Sequence, residues 1–374
     1  MKIGILGAGQ LSLLMAQANT DSDIQIFPFG DETCANLTDY AHPVYAKGLN
    51  DPEALKAFID SVDVLTYETE NVPADLLTSL ACDHKIAPSI QAVKIFQNRF
   101  HEKSYFVSKG IQTAQHLPIA KTEDLAAATN HVQFPAILKT NSEGYDGKGQ
   151  VVVKHEADLT DAWHTLNNQE SLLEQMIHFE QEISIVAARD RDDHIAYYPV
   201  SENFHQDGQL ILSLVTEPHP LQHKAEEIVK KILIDLDYIG CIAVEFFVKD
   251  GELLVNEVAP RVHNSGHWTT EGTNVSQFAN HLHAVSGKRV IQPTLNGLAA
   301  MVNFIGSLPD TTASAQIPGR TFYDYKKSPK PKRKLGHMNI VGNTSSRQAF
   351  YRDVASTLES IGENALAERV LNRV

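Results

Sequence analysis

The sequence predicts an α/β chain, α+β overall: a doubly wound parallel sheet first, a mostly antiparallel region next, and a small β-rich C-terminal part. Two patterns carry that prediction. Over residues 1–100 short apolar runs alternate with helically spaced segments, as in a parallel sheet whose strands need crossovers. From about residue 101 strand-like runs follow one another across links too short for a crossover, which implies antiparallel pairing.

In the first part, "KIGIL" is a buried strand, "QLSLLMAQAN" a helix and "IQIFPF" a second strand. "DPEALKAFIDS" is a helix capped by Asp51 with Pro52 in its first turn, and "VDVLTYE" is a third strand. Ligands of such a sheet bind at the carboxyl ends of its strands. Further on, "FPAILKT" and "QVVVKH" pair across "NSEGYDGKG", and "SLLEQMI", "EISIVAARD" and "QLILSLV" add strands. "LQHKAEEIVKKILIDLDY" is helical, and "CIAVEFFV" and "ELLVNEV" flank the hairpin signal Asp250-Gly251. "AAMVNFI" and "GHMNIV" are late strands before a closing helix from about Ser345. The expected divisions are 1–100, 101–290 with a lid at about 115–178, and 291–374.

Composition narrows the function classes. The 374 residues are 43% hydrophobic and 21% charged, the balance of a folded soluble protein, and the formal charge is -14. That charge argues against non-specific binding to nucleic acid or anionic membrane, so an anionic ligand needs local cations. Cys34, Cys82 and Cys241 have no metal-like spacing and suit reduced thiols in the cytoplasm. The opening "MKIGILGAGQLSLLMAQA" has a signal-like outline, but Gly7, Gly9 and Gln10 interrupt it, and no apolar run reaches membrane-spanning length.

Four stretches bear chemistry. In "GAGQLS", Gly7 and Gly9 let backbone amides approach a phosphate at a helix start, or serve a tight turn alone. Ser12 replaces the third glycine of a dinucleotide fingerprint and no acid ends the second strand, so nicotinamide binding is poorly supported. "EGYDGKGQ" is a glycine-rich cover whose amides can wrap phosphate oxygens, and Lys139 is a strand-borne cation nearby; alone, each better fits an ordinary hairpin loop with a solvated lysine. Glu245 lies inside an apolar strand and Glu257 ends its hairpin partner. A two-residue turn would oppose Glu245 to Asn256, and a three-residue loop would oppose it to Glu257. Two facing carboxylates call for a proton or a cation, and Mg²⁺ suits few carboxylates plus phosphate oxygens. Arg261, His263, Asn264, Ser265 and His267 follow within one loop, suited to a second, anionic substrate, although His267 and Trp268 equally suit packing. "KKSPKPKRK" is a basic run without interleaved aromatics; such a run is usually a nucleic-acid patch or a solvated loop, and it equally suits one phosphate.

Together "GAGQL", "TYETENVP", "GYDGKGQ", "LLEQ", "NEVAPRVHNSGHWT" and "RKLGH" resemble the ATP-grasp carboxylate-amine ligases over nearly the whole chain. Among these the sequence is most similar to the 5-(carboxyamino)imidazole ribonucleotide synthetases of purine biosynthesis. The resemblance implies ATP-dependent carboxylation of 5-aminoimidazole ribonucleotide with bicarbonate, Mg²⁺ with Mn²⁺ as substitute, and a cytoplasmic homodimer binding neither nucleic acid nor membrane. The alternative is another member such as the formate-dependent phosphoribosyl glycinamide formyltransferase. It further implies that Arg99, Lys139, Gly144, Tyr145, Asp146, Gly147, Lys148, Gly149 and Gln150 meet the nucleotide phosphates. Glu174, Gln175, Met176 and Ile177 then form the adenine hinge, with Glu182, His205 and Asn256 elsewhere in the nucleotide site. Glu245 and Glu257 hold the metal. Gln10, Leu11, Glu70, Tyr145, Asp146, Arg261, His263, Asn264, Ser265, Lys327, Arg333 and Lys334 meet the ribonucleotide, with Lys148, Arg261 and His263 as the catalytic set. Ala8, Ser12, Leu13 and Lys332 depart from the family's usual glycine, glycine, arginine and glycine.

Overall fold

The computed structural model describes residues 1–31, 34–46, 48–142, 149–216, 218–309 and 318–373. The first sheet contains β1 (Lys2–Leu6), β2 (Gln25–Gly30), β3 (Val44–Tyr45) and β4 (Val64–Tyr67), all parallel, in the order β3-β2-β1-β4. Asp51 caps the helix Pro52–Ser61 by accepting from the amides of Glu53 and Ala54 at 3.0 and 3.1 Å, as its sequence predicts. The carboxyl ends of β1 and β4 lie side by side, which brings Gln10 and the segment Glu68–Glu70 to one rim.

A second, antiparallel sheet has β5 (His116–Ile119), β6 (Ala136–Thr140), β7 (Gln150–Val153) and β8 (Ser171–Gln175) in the order β5-β8-β6-β7. It places Lys139 at the end of β6 and Glu174 on its neighbour β8.

The third sheet runs through β9 (Gln181–Arg189), β10 (Ile195–Tyr197), β11 (Ser201–Gln206), β12 (Gln209–Val215), β13 (Gly240–Lys249), β14 (Glu252–Ala259), β15 (Leu298–Ile305), β16 (Arg320–Asp324) and β17 (Lys334–Gly342). The C-terminal strands continue the central sheet: β12 pairs with β15, from Leu212 opposite Val302 to Val215 opposite Ala299. Helices Arg347–Ser360 and Asn364–Leu371 bury Phe350, Val354, Leu358 and Val370 on that extension. One apolar core spans the first and third sheets, joining Ile3, Ile5 and Leu14 to Val186, Ala243 and Trp268. The strand ends of the first sheet are thereby fixed against the β13–β14 hairpin.

That hairpin resolves the two turn geometries. Its turn has two residues, Asp250 and Gly251, with φ of 52° and 73°, the left-handed pair a tight hairpin requires. Lys249 opposes Glu252 and Phe246 opposes Val255, yet Glu245 opposes Glu257 because the register shifts after Glu245. Asn256 is the extra residue of this β-bulge. The short turn was the right reading; the pairing it would impose is undone by the bulge.

Candidate active site

A cleft of about 600 Å³ opens where the three sheets meet. Gln10, Leu11, Glu70, Arg99, Lys139, Gln150, Glu174, Gln175, Met176, Ile177, Glu182, His205, Glu245, Asn256, Glu257, Arg261, His263, Asn264 and Lys334 line it. Gly144, Tyr145, Asp146, Gly147 and Lys148 lie outside the described residues.

At the rim, Glu257 and Glu245 face one another across the bulge. Burial first, and then the Glu257 charge, raise the Glu245 carboxyl above its ordinary range. Arg99 reaches Glu257 at 3.5 Å. Two close carboxylates beside a cationic patch form a hard-oxygen set that fits Mg²⁺ when phosphate oxygens complete the shell. Glu182 accepts from, or shares a proton with, His205 at 2.8 Å. Burial disfavours the His205 imidazolium, but Glu182, Glu245 and Glu257 outweigh it and raise the ring's pKa.

Lys139 rests on the Glu174 carboxylate at 2.5 Å, and Lys103 holds the other Glu174 oxygen at 2.7 Å. Burial favours the neutral acid, yet the two ammonium groups hold Glu174 far below the ordinary carboxylate range. Lys103 also donates to the carbonyl of Asn256 at 2.7 Å, while its neighbour Glu102 accepts from the amide of Val258 at 2.7 Å. The pair Glu102-Lys103 therefore brackets Glu257. Burial and the Glu257 charge push Glu102 up to about 8. Sequence reasoning missed both residues; their only signal was an acid-base pair on the helix that follows Arg99.

The far side of the cleft belongs to the loop after β14. Arg261 forms an ion pair with Glu70. His263 Nδ1 accepts from the amide of Ser265 at 3.3 Å and lies 2.9 Å from the Ser265 hydroxyl. Burial first, then the Arg261 charge, lower the His263 pKa to about 3. The neutral ring thus carries its proton on Nε2. Asn264 is buried, and both polar atoms of its amide lack a partner among the described residues. Such a group is costly unless a ligand or water satisfies it.

Several expected contacts fall elsewhere. Ser265 is fully buried behind His263, its hydroxyl accepting from Ser184 at 2.8 Å and lying against the His263 ring. Lys327 does not line the cleft itself but donates to Gln10, which does. Arg333 also stands off the lining and donates to the carbonyl of Ser328 at 3.1 Å. Gly149 lines a neighbouring depression with Thr140 and Asn141. His267 and Trp268 pack in the core.

The "GAGQLS" turn has a different occupant from a phosphate. Glu68 accepts from the amides of Gly9 and Ser12 at 2.5 and 2.8 Å, so the protein's own carboxylate caps the helix Gln10–Ala18. A Cβ on Gly9 would sit 2.7 Å from a Glu68 oxygen, which explains the glycine by packing. Leu13, where the family usually has arginine, is buried among apolar neighbours. Lys332, where glycine is usual, has a φ of 60°.

Models of known families match in three places. The ribonucleotide synthetase preATP-grasp domain covers residues 1–97, the ATP-grasp domain 104–278, and the phosphoribosylaminoimidazole carboxylase C-terminal domain 299–349. The chain is 38% identical to the N5-carboxyaminoimidazole ribonucleotide synthase of Pseudomonas aeruginosa, over 96% of this chain and 100% of that one. The crystal structure of the Thermus thermophilus synthetase superposes with a TM-score of 0.89 at 35% identity, covering 96% of this chain and 99% of that one. The Aspergillus clavatus synthase, solved with ADP and 5-aminoimidazole ribonucleotide, gives 0.86 at 26% identity, covering 96% and 98%. The chain belongs to the N5-carboxyaminoimidazole ribonucleotide synthase family of ATP-grasp ligases.

Proposed function

We propose that the protein uses ATP and bicarbonate to carboxylate the amine of 5-aminoimidazole ribonucleotide, giving 5-(carboxyamino)imidazole ribonucleotide, ADP and phosphate. One observation carries the reading: the facing Glu245 and Glu257 share a single cleft with Arg261, His263 and the unpartnered amide of Asn264. A phosphoryl-transfer half and an acceptor half are thus adjacent.

The adenine end is apolar, lined by Ile137, Met176, Ile177, Phe179 and Phe247, with Phe179 stacked on Phe247 at 4.8 Å. Glu182 and His205 suit the ribose hydroxyls, while Arg99 and Lys139 suit the phosphates. Glu245 and Glu257 would hold Mg²⁺, which supplies charge neutralisation at the phosphates. A bicarbonate oxygen attacks the γ-phosphorus, the bond to the ADP oxygen breaks, and carboxyphosphate forms. Arg99 and Lys139 hold the moving group in line, where positioning and charge stabilisation supply most of the acceleration. The ribonucleotide amine then attacks the carboxyl carbon, phosphate leaves, and the amine proton passes to it. Arg261 and the Nε2 proton of His263 face the anionic carboxyl group, and Asn264 gains the partner it lacks. Lys327, Lys334 and Gln10 stand on the side suited to the ribonucleotide phosphate.

The reading is tested with ¹³C-bicarbonate. A ¹³C carbamate on the ribonucleotide, formed only with ATP, is the expected product. ATP consumption with label remaining in bicarbonate would count against it.

A further inference from the structure

We infer that Lys103 is a positioning residue that keeps Glu174 charge-paired when Lys139 leaves it for a nucleotide phosphate. The inference rests on the reading of Lys139 as a phosphate contact. Lys139 places its ammonium on one Glu174 carboxylate oxygen at 2.5 Å. The other oxygen belongs to Lys103 at 2.7 Å, and the Glu174 carboxylate is only 4% exposed.

The two lysines differ in what else holds them. Lys103 is 3% exposed and anchored from below, donating to the Thr113 hydroxyl at 2.9 Å and the Asn256 carbonyl at 2.7 Å. It does not line the cleft. Lys139 is 14% exposed, lines the cleft, and has Glu174 as its ion-pair partner among the described residues. Glu174 therefore has one fixed cation and one transferable cation. A buried carboxylate stripped of every partner is strongly unfavourable. Without Lys103, movement of Lys139 to phosphate would incur that penalty, and nucleotide affinity would fall. With Lys103 in place, Lys139 exchanges one anion for another and Glu174 stays paired.

The test is calorimetric binding of Mg-ADP and a non-hydrolysable Mg-ATP analogue. Lys103→Met should weaken binding about tenfold or more, because the buried carboxylate then competes for Lys139. Adding Glu174→Gln to that variant should restore affinity to within about threefold, since a neutral amide no longer demands a cation. Native affinity in Lys103→Met, or a double variant as weak as the single, would overturn the inference in favour of a purely structural lysine. Lys103→Gln, which can still donate to Thr113 and the Asn256 carbonyl but carries no charge, should weaken nucleotide binding as Lys103→Met does. This arm stands even if Lys103→Met does not fold, and native affinity there would also overturn the inference. Lys139→Met separates the two claims: undiminished affinity in that variant removes Lys139 from the phosphates and with it the reading beneath the inference.

Discussion

Glu245 faces Glu257 across β13 and β14, although a two-residue turn alone would have placed Asn256 there. The bulge at Asn256 makes a repelling pair that the fold tolerates only with a proton or cation. In chelator, the raised Glu245 pKa means the folded chain takes up a proton more readily than the unfolded chain. The native protein is therefore relatively stable at low pH and loses stability as pH rises past the ordinary carboxylate range through the raised value. Glu245→Gln should be more stable than the native chain by about 1–3 kcal/mol near pH 8, with the gain vanishing near pH 4. Urea unfolding at both pH values checks this, and added Mg²⁺ should stabilise the native chain more than the variant.

Arg261 and Glu70 form the pair that closes the opposite wall. Burial opposes ionisation of Glu70, and Arg261 overcomes it, lowering that carboxyl's pKa. The stabilisation is present above the ordinary carboxylate pKa and fades as pH falls through the lowered one. Arg261→Gln should lose about 2–4 kcal/mol at neutral pH, because Glu70 is left unpaired, and less under acid. Glu70→Gln with Arg261→Gln should recover part of the loss in a double-mutant cycle.

Leu13 tests the departure in the helix Gln10–Ala18. Restoring the family's usual arginine places a charge where the side chain is buried against apolar neighbours. Leu13→Arg should destabilise by about 3 kcal/mol or more, whereas Leu13→Met should change stability by less than about 1.5. Denaturant midpoints distinguish the two.

Lys332 sits at a φ of 60°, a conformation open to glycine at little steric expense. Lys332→Gly should be neutral or stabilising by up to about 1 kcal/mol, and Lys332→Val should destabilise by about 1–2. Chain entropy limits the gain from glycine. Thermal unfolding of both variants is the check.

Much of this was legible in residue order. Strand-helix alternation marked the parallel sheet, and Asp51-Pro52 and Asp250-Gly251 marked a cap and a turn that formed as expected. Glu245, Glu257, Arg261 and Asn264, singled out because acids in apolar strands and crowded polar loops are unusual, all line the cleft. What escaped depends on contacts between distant segments. Turn chemistry reveals a hairpin but not a bulge several residues away, where Lys103 and Glu102, from a helix far earlier in the chain, bond the backbone of Asn256 and Val258. Glu68 lay in a quoted motif, but only the parallel pairing of β1 with β4 aims it at the glycine turn. Ser265 was expected at the substrate from the resemblance of its loop; its side chain points into a buried hydroxyl cluster with Ser184, a contact with no local signal. The shared sheet of the central and C-terminal parts rests on β12 pairing with β15, a long-range choice without a local signal.

The most direct test of the central claim is ADP release from Mg-ATP with bicarbonate, measured with and without 5-aminoimidazole ribonucleotide. The account predicts stimulation by the ribonucleotide and a fall of about 100-fold or more in Glu257→Gln. ADP release indifferent to the ribonucleotide, or undiminished in a folded Glu257→Gln, would contradict it.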